Sequence, residues 1–572
     1  MRSKRGLVLL SLTGVLGGSI AVASGPAVNA EHAAARGRTV DVQVLAINDF
    51  HGNLQPPAGS GGVVSGVPAG GAEYLATHIA SLEAANPNSI VVSAGDLIGA
   101  SPLLSSLFHD EPTVEAMNAI GLDLNAVGNH EFDEGTTELL RMQEGGCHPT
   151  DGCLDGDGFA GADFEFLAAN VVNETSGETL FPPYSIQNFD GAKVAFIGMT
   201  LEGTPTIVSA SGIEGWSFLD EADTANALIE ELQRRRVESI VVLIHEGGFP
   251  ATGSPPNGCT GISGPIVDIV QRLDPAVDMV VSGHTHLPYN CVIDGIPTSS
   301  AFSFGRVVTD IDMTIDKGTK DVTSISVNNV TVTRDVAKDP EITALVDRYS
   351  EIAAPIANRP IGKITADSTR TQDLSRESAL GNAIADAQLA ASDGADEGGA
   401  VMAFMNPGGV RADLVYVSSP AGEGDGVVTY GEAFTVQPFG NNLVTMTLTG
   451  AQLYDVLEQQ FCGTNDTSFR VLLPSAGVDY TWNADVADDL DPTCTMTAVT
   501  NLTLNGIPVT DAATYRVTVN SFLADGGDGF TELRNGTNRV GGVVDTDAFE
   551  AYVSSFGDTG LAPPALDRID VV

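Results

Sequence analysis

An amide, an imidazole and a carboxylate follow a short apolar run in residues 122–134. The run ends at Gly128, and Asn129, His130 and Asp133 come next. A carboxamide oxygen can bind a hard divalent metal, and a neighbouring imidazole can act as an acid, a base or an electrophile. Asp133 is close enough in sequence to orient that imidazole. The stretch alone is equally typical of a polar turn after a core strand, so the rest of the chain has to decide.

Four other apolar segments end in residue types that bind metals. They are followed, in chain order, by Asp49 and His51, by Asp96, by His245, and by His284 and His286. Side chains at the ends of neighbouring strands converge at one edge of a sheet. Five of the nine histidines stand at these positions, which favours a metal site over isolated structural histidines. The other four, His32, His78, His109 and His148, are interpreted as surface residues.

Strand and helix patterns alternate along the first half of the chain. Apolar runs predict strands at residues 39–47, 89–94, 193–199, 239–244, 278–281 and 307–315. Helical spacing predicts helices at 72–85, 112–120, 220–236 and 267–273. The alternation predicts an α/β layered domain. Asp339 and Pro340 then open a helical pattern that runs to about residue 357, with Pro340 suited to the first helical position.

The motifs D-F-H-G, G-D, G-N-H-E-F-D, H-E-G-G and G-H-T-H occur in this order. Together they resemble the calcineurin-like metallophosphatases, and most closely the secreted two-domain 5′-nucleotidase family, which includes bacterial UDP-sugar hydrolase and animal ecto-5′-nucleotidase. The resemblance implies an α/β fold with an N-terminal four-layer β-sandwich flanked by helices, a linker helix and a C-terminal α+β substrate-binding domain. The expected ranges are 40–335 for the binuclear metallophosphatase domain, 336–360 for the linker helix and 361–572 for the nucleotide-binding domain.

The same resemblance implies roles for the residues at the strand ends. One metal ion would be held by Asp49, His51, Asp96 and His286, and the other by Asp96, Asn129, His245 and His284. His130 would be the catalytic histidine, with Asp133 as its partner. Two divalent ions about 3.5–4 Å apart can bind phosphate oxygens and lower the pKa of an attacking water. The mixed ligands suit Zn, Mn or Co better than an all-oxygen Ca site.

Three turns in the second half carry residues that could bind a nucleoside. They are N-P-G-G-V-R at 406–411, Q-P-F-G-N-N at 437–442 and S-F-L-A-D-G-G-D at 521–528. By themselves they are either ordinary turns or places where aromatic faces stack on a base and Arg411 binds phosphate. The resemblance implies a base stacked between Phe439 and Phe522. It also implies polar contacts from Asn406, Arg411, Asn441 and Asp528.

Two features depart from the family pattern. Pro407 replaces a glycine of the family's N-G-G-G turn and stiffens it. The arginines expected near the start of the second domain have no clean match in spacing. Arg376 is the stronger candidate for substrate binding and Arg370 the weaker, and either could be a solvated surface charge.

Residues 1–30 are predicted to be a signal peptide, because a basic start precedes an apolar run and small residues up to Ala30. No later stretch is apolar enough for a membrane anchor, so we expect a secreted protein in the extracellular, periplasmic or cell-wall space. Six cysteines in such a chain favour disulfides, most simply Cys147–Cys153, Cys259–Cys291 and Cys462–Cys494. The net charge of −47 argues against a nucleic-acid polymer as partner and favours a monomer.

The predicted function is metal-dependent removal of phosphate from nucleoside 5′-monophosphates. Three alternatives stay open. The same metals could cut a nucleotide sugar or a 2′,3′-cyclic nucleotide, or the chain could be an extracellular nuclease, which its acidity disfavours. It could also be a secreted nucleotide-binding or adhesive protein without turnover. The complete ligand set with His130 and Asp133 disfavours that last alternative.

Overall fold

The computed structural model describes residues 38–572 except 58, 209, 252, 420–421, 488–490, 492 and 496. The predicted signal peptide at 1–30 lies outside the described residues. Within the described ranges, no helix is both long enough and apolar enough to cross a membrane. The predicted cysteine pairing is confirmed, because disulfides join Cys147 to Cys153, Cys259 to Cys291 and Cys462 to Cys494.

The first half of the chain contains strands β1 to β16. They are β1 (Thr39–Ile47), β2 (Val63–Val64), β3 (Val67–Pro68), β4 (Ser89–Ser93), β5 (Leu124–Ala126), β6 (Glu165–Leu167), β7 (Val171–Asn173), β8 (Tyr184–Phe189), β9 (Ala192–Thr200), β10 (Trp216–Phe218), β11 (Ser239–His245), β12 (Met279–Ser282), β13 (Tyr289–Ile293), β14 (Ile296–Ser300), β15 (Val307–Asp316) and β16 (Val322–Thr331). The helices are α1 (Ala72–Glu83), α2 (Leu103–Ser106), α3 (Glu111–Ile120), α4 (Thr136–Glu144), α5 (Glu221–Arg234) and α6 (Pro265–Arg272).

Most of these strands form two six-stranded sheets in the described part of the chain. Their strand orders are β16-β15-β1-β4-β5-β6 and β13-β14-β12-β11-β9-β8. Strand β1 shows why they form layers: Val44 and Ala46 pack against the facing sheet, whereas Leu45 and Ile47 pack against helices. Successive side chains of a strand point to opposite faces, so one apolar run fills two cores. The expected four-layer sandwich is confirmed.

The candidate ligands follow strands that run in parallel. Strand β1 pairs in parallel with β4, β4 with β5, and β11 with β12. Parallel neighbours place their carboxyl ends at the same edge of a sheet. The two sheets thus present the residues after these five strands along one edge of the sandwich.

The apolar run before Asn129 is a much shorter strand than its sequence suggests. The backbone N–H of Leu122 donates to Met117 O and so still closes helix α3, which leaves only Leu124–Ala126 in β5. Residues His130–Phe132 then form a single turn of 3₁₀ helix. His130 therefore stands in this turn and not in the strand itself.

Helix α7 (Pro340–Ala357) lies within the predicted linker. Asp339 caps it by accepting the backbone N–H groups of Glu341 and Ile342, at 2.9 and 3.1 Å. Ile342 packs into the N-terminal core, and Tyr349 packs edge-on against Phe108. These contacts dock the helix on the first domain.

The second half forms the expected α+β domain. Its strands are β17 (Pro360–Lys363), β18 (Met402–Met405), β19 (Val427–Thr429), β20 (Asn442–Thr449), β21 (Leu473–Pro474), β22 (Val478–Trp482), β23 (Val499–Leu504), β24 (Ile507–Pro508), β25 (Thr514–Asn520), β26 (Thr537–Val544) and β27 (Ile569–Val571). Its helices are α8 (Ala379–Ala390), α9 (Tyr430–Val436), α10 (Gly450–Glu458), α11 (Ala484–Ala487), α12 (Ser521–Ala524) and α13 (Asp545–Ser555). The described residues form a five-stranded sheet, β21-β18-β25-β20-β26, and a four-stranded sheet, β24-β23-β22-β27.

Candidate active site

Asp49, His51, Asp96 and His286 form one half of a polar centre at the edge of the sandwich. Each offers a ligand atom, and these atoms all lie within 4.8 Å of one another. His286 Nε2 is 3.1 Å from Asp49 Oδ1, and His51 Nε2 is 3.6 Å from Asp96 Oδ2. The four residues follow β1, β4 and β12, so both sheets contribute.

Asp96, His245 and His284 form the other half, with Asp96 shared between the two. His245 Nε2 is 3.0 Å from Asp96 Oδ2. His284 Nδ1 is 3.0 Å from the side-chain oxygen of Asn129, which places the amide in this half as well. The structure therefore brings together all seven predicted ligands, and a carboxylate between two ion positions can set their separation.

The unpaired nitrogen atoms of this centre fit divalent cations. His51 Nδ1 must donate to Gly99 O, and His245 Nδ1 to Ala94 O, both at 2.8 Å, because a carbonyl only accepts. In the neutral ring, each Nε2 is then left with a lone pair. His245 Nε2 is buried and faces the Asp96 carboxylate, and His51 Nε2 faces His286 Nε2 at 3.0 Å. A buried acceptor without a donor is costly unless a cation binds it.

Burial and neighbouring charges shift the pKa values of His284 and His245 in opposite directions. Burial, with the nearby His245, lowers the pKa of His284 to about 3, so His284 is neutral and ready to bind a metal. Burial also lowers the pKa of His245, but the carboxylates of Asp96 and Asp49 outweigh it and raise the value to about 10. A metal ion held by His245 Nε2 would take the place of that proton.

Five of the predicted ligands have left-handed backbone, which non-glycine residues rarely adopt. The φ angles are 50° at Asp49, 46° at His51, 51° at Asp96, 69° at His284 and 53° at His286. Each such residue costs on the order of 1–3 kcal/mol, and such residues cluster at functional sites. The strand-end pattern in the sequence did not reveal this strain.

Glu131 orients the shared carboxylate and was not assigned a role from the sequence. Its buried side chain accepts the backbone N–H groups of Gly128, Leu97 and Asp96 at 2.6, 2.8 and 3.0 Å. Burial, together with the charge of Asp96, raises the pKa of Glu131 to about 7. Gly128 is needed for close approach, because an added Cβ would lie 2.2 Å from Asp96 Oδ1. The glutamate of G-N-H-E was the sequence signal for this role.

His130 is held by Asp133 beside the metal centre. The two side chains meet through Nδ1 and Oδ2 at 2.8 Å, and the backbone N–H of His130 donates to Asp96 Oδ1 at 2.9 Å. Burial lowers the pKa of His130, but the carboxylates of Asp133 and Asp96 more than offset it and raise the value above the ordinary one. Among the described residues, none is hydrogen-bonded to Nε2, which can therefore act on a substrate.

A cavity of about 320 Å³ joins this centre to the second domain. From the first domain it is lined by Asn129, His130, Asp133, Ile207, Val208 and His284. From the second domain it is lined by Asn406, Pro407, Gly408, Gly409, Arg411, Phe439, Asn441, Arg470, Asn520, Ser521, Phe522 and Asp528. Predicted metal ligands, His130 and the predicted nucleoside-binding residues thus line the same cavity.

The two halves of the chain match two family descriptions. Residues 42–288 match "Calcineurin-like phosphoesterase", and residues 360–535 match "5'-nucleotidase, C-terminal domain". The chain is 35% identical to the cell wall protein Lmo0130 of Listeria monocytogenes, covering 90% of this chain and 67% of that protein. This chain belongs to the two-domain 5′-nucleotidase family.

Other relatives support the same family assignment. The chain is 33% identical to the endonuclease YhcR of Bacillus subtilis over 91% of its own length, but it spans only 40% of that protein. The crystal structure of a 5′-nucleotidase precursor from Thermus thermophilus superposes with a TM-score of 0.73 at 26% identity, covering 93% of this chain and 99% of that one. The resemblance read from the motifs, and the fold it implied, are confirmed.

Of the predicted substrate-binding residues, all except Arg376 line the cavity. Asn406, Arg411, Phe439, Asn441, Phe522 and Asp528 all line the cavity. Arg376 is exposed and is not among the described residues that line it. Arg370 lies close enough to Arg411 for its charge to lower the pKa of Arg411, in addition to the larger effect of burial. The part of Arg376 in substrate binding stays a prediction.

Two cavity residues of the second domain were missed from the sequence. Arg470 forms an ion pair with Asp528, and Asn406 donates to the same carboxylate at 2.8 Å. Asn520 in turn donates to the side-chain oxygen of Asn406 at 3.0 Å. Arg470 stands in a stretch without a motif, and Asn520 directly precedes the 521–528 turn, so their position in the fold identifies both.

Proposed function

We propose that this chain is a secreted, metal-dependent phosphohydrolase that converts nucleoside 5′-monophosphates to nucleosides and phosphate. The proposal rests on the cavity that the two domains share. Its first wall holds metal-site residues and His130, and its second wall holds aromatic rings, amides and an arginine. A nucleotide has matching parts, a phosphate at one end and a planar base at the other. The name of the Thermus thermophilus structure, a 5′-nucleotidase precursor, agrees with this substrate class.

The residues at the phosphate end have distinct tasks. Divalent ions held by Asp49, His51, Asp96, Asn129, His245, His284 and His286 would supply a Lewis acid for phosphate oxygens and an acidified water. His130, kept protonated by Asp133, would donate through Nε2 to the phosphoryl group or to the departing ribose 5′ oxygen. Arg411 would add a second positive charge and a bidentate donor.

The residues at the base end would hold the nucleoside. Phe439 and Phe522 both line the cavity and offer faces for stacking on a base. Asp528 would accept hydrogen bonds from ribose hydroxyls. Its position is fixed by Arg470 and Asn406, which both contact its carboxylate. Asn441 is held by Ser521, whose hydroxyl donates to its side-chain oxygen at 3.1 Å, and would contact the base edge.

The remaining features of the proposal rest on composition and on similarity. Zn, Mn or Co is the proposed metal, because imidazole, carboxylate and amide ligands suit these ions. Secretion is supported by three disulfides and by similarity to a cell wall protein. The proposed domains are 40–335 and 361–572, joined by a linker at 336–360. A monomer is proposed because a net charge of −47 disfavours self-association.

Product analysis on four substrates tests the proposal. AMP, UDP-glucose, 2′,3′-cyclic AMP and single-stranded DNA are each incubated with the purified chain, with and without chelator, and the products are separated by chromatography. We expect the fastest turnover on AMP, with equal amounts of adenosine and phosphate and full loss with chelator. Faster turnover of UDP-glucose or the cyclic nucleotide would replace the proposed substrate. Faster cleavage of DNA, the activity in the name of YhcR, would also replace the proposed substrate. If no substrate gives a chelator-sensitive product, the proposed enzymatic function is refuted.

A further inference from the structure

The carboxylate of Asp528 is held from several sides in the cavity between the domains. Asn406 donates to its Oδ2 at 2.8 Å, and the guanidinium of Arg470 pairs with its Oδ1. Asn465 donates to its backbone oxygen at 2.8 Å. The backbone of Asp528 is left-handed, with a φ of 55°, and its side chain is only 11% exposed. Strained residues of this kind cluster at binding sites.

Three neighbouring strands of the five-stranded sheet bring these residues together. Strand β18 pairs in parallel with β25 and antiparallel with β21. Asn406 directly follows β18, Asn520 ends β25 and Arg470 comes shortly before β21, so all three stand at the same edge of the sheet. Asn520 donates to Asn406 Oδ1 at 3.0 Å, which orients the amide so that its nitrogen faces Asp528. The sheet thus directs one amide and one guanidinium at a single carboxylate.

The remaining hydrogen-bonding capacity of the Arg470–Asp528 pair matches a vicinal diol. A carboxylate offers about four lone-pair sites, and Arg470 and Asn406 occupy one on each oxygen of Asp528. Each oxygen can therefore accept one more proton. Arg470 donates to Asp528 through Nη1, and within the described part of the chain its Nε and Nη2 have no hydrogen-bond partner. The pair can accept protons from two hydroxyl groups and also donate to a hydroxyl oxygen.

The pair also determines which charge can stand beside it. Arg470 and Asp528 cancel each other's charge, and both line the cavity. A neutral pair suits hydroxyl groups, whereas a phosphate ester at the same place would face the Asp528 carboxylate and be repelled. An esterified ribose oxygen has also lost the proton that Asp528 would accept. A nucleotide with a free 2′,3′ diol therefore fits better than a 2′,3′-cyclic nucleotide or an internal nucleotide of a nucleic-acid strand.

The position of Asp528 between the two ends of the cavity suits a ribose. Burial lowers the pKa of Arg411, and the charge of Asp528 is close enough to oppose that shift. On the other side, a Cβ added to Gly527 would lie 2.5 Å from the Phe522 ring, so the residue before Asp528 packs directly on that ring. In a 5′-nucleotide the ribose joins the base to the phosphate. Asp528 accordingly lies between the arginine proposed for the phosphate and a ring proposed for the base.

We propose that Arg470 is a specificity-determining residue for the sugar. Paired with Asp528, it makes the cavity select nucleotides whose 2′ and 3′ hydroxyl groups are both free. This inference rests on the proposed function, because it names the nucleotides that the same cavity accepts. Asp528 accepts the two hydroxyl protons, while Arg470 fixes the carboxylate and donates to a hydroxyl oxygen. Ribonucleoside 5′-monophosphates are thereby preferred over deoxyribonucleotides.

Substrates that differ by one hydroxyl group test the role of Arg470. Steady-state kinetics gives kcat/KM for AMP, 2′-deoxy-AMP and 3′-deoxy-AMP with the wild type and Arg470→Met. We expect the wild type to prefer AMP over each deoxynucleotide roughly tenfold or more, mostly through KM, because a missing hydroxyl leaves a charged acceptor without a donor. In Arg470→Met both preferences should fall below roughly threefold. A wild type without preference, or an Arg470→Met variant that keeps the wild-type preferences, would overturn the proposal.

A second ion pair of the same domain supplies the matched control. Arg539 pairs with Asp525 and is 35% exposed, close to the 38% of Arg470, but neither partner is among the described residues that line the cavity. Arg539→Met should therefore keep the wild-type preferences. Where Arg470→Met does not fold, Arg470→Lys replaces it, because a lysine keeps the charge beside Asp528 but lacks the guanidinium fork. Arg470→Lys should lower both preferences roughly threefold or more, and unchanged preferences would again overturn the proposal.

Nucleoside binding separates this inference from the proposed reaction. Titration calorimetry measures the Kd of adenosine and of 3′-deoxyadenosine for the wild type and Arg470→Met. If AMP is hydrolysed without a sugar preference, the inference fails and the proposed function stands. If AMP is not hydrolysed, the proposed function fails. In that case adenosine should still bind the wild type roughly tenfold more tightly than 3′-deoxyadenosine, and Arg470→Met should lose this difference. Equal affinities in the wild type, or no binding of adenosine, would then overturn the inference as well.

Discussion

The imidazole of His130 and the phenyl ring of Phe439 lie face to face, although they belong to different domains. Their ring centroids are 5.8 Å apart and their planes are inclined by 18°. The guanidinium of Arg411 lies 5.7 Å from the centroid of the same phenyl ring. Phe439 thus bridges the histidine of the first domain and a cation of the second. The proposed chemistry and the proposed nucleoside pocket meet at this ring.

Replacing Phe439 by Ala should weaken nucleotide binding more than it slows the chemical step. Stacking an aromatic side chain on a base contributes about 1–3 kcal/mol, so we expect the KM for AMP to rise roughly 5- to 150-fold. Steady-state kinetics with AMP as substrate measures this change in KM. Phe434→Ala is the control, since Phe434 packs on Tyr430 away from the cavity. An unchanged KM in both Phe439→Ala and Phe522→Ala would remove the stacking proposal.

Replacing His130 by Ala should remove turnover and leave the metals bound. Its Nδ1 is occupied by Asp133 and its Nε2 is free for the substrate, so we expect kcat to fall about 10²- to 10⁴-fold. Elemental analysis of the same sample gives the metal content. Asp133→Asn should lower kcat less, because it keeps the hydrogen bond without the charge. Loss of metal from His130→Ala would show that His130 is a metal ligand.

Chelation should destabilise the protein as well as inactivate it. Asp49 and Asp96 are both buried, and their like charges repel each other when no cation lies between them. A ligand present at about a hundred times its Kd stabilises the folded state by about 2.7 kcal/mol. We expect the melting temperature to fall by several degrees with chelator and to recover with Zn, Mn or Co. Identical melting with and without chelator contradicts a preformed metal centre.

The substitution Gly128→Ala should damage the centre without touching a ligand. The new Cβ would lie 2.2 Å from Asp96 Oδ1 and 2.8 Å from the His245 ring, so the shared carboxylate must move. We expect lower metal content and a free energy of unfolding reduced by about 1–3 kcal/mol. Gly158→Ala is the control, because nothing lies within 4 Å of its added Cβ. Full metal occupancy in Gly128→Ala would show that the strand-end packing is looser than the structure indicates.

Asp278→Asn should stabilise the fold, and more so at high pH. Burial raises the pKa of Asp278 to about 7, while its carboxylate accepts the backbone N–H of Ile240 at 2.9 Å. The folded state therefore binds more protons than the unfolded state between about pH 4 and 7, and the cost of ionisation is complete above about pH 7. The melting temperature of Asp278→Asn should exceed the wild-type value at about pH 8 and converge with it near pH 4. Asp268→Asn, an exposed change on α6, should show no such trend.

The sequence predicted the elements that carry the site, because local periodicity encodes them. Strand β1 has its predicted bounds, and β4, β11, β12 and β15 agree within a residue or two at each end. Their polar ends were visible as Asp, His and Asn after apolar runs. Parallel neighbours bring such ends to one edge of a sheet, so the grouping of Asp49 with Asp96 could be expected from chain geometry alone, whereas His245 follows a strand of the other sheet.

Only the tertiary structure decided which distant residues meet. Glu131 is part of a motif, but two of its three backbone N–H partners, Asp96 and Leu97, come from the distant loop after β4. Arg470 reaches Asp528, and Phe439 reaches His130, across segments with no shared pattern in the sequence. His109 and His148 come together through the disulfide loop. Such contacts depend on the packing of whole layers and domains, whereas periodicity and motifs report only on neighbours along the chain.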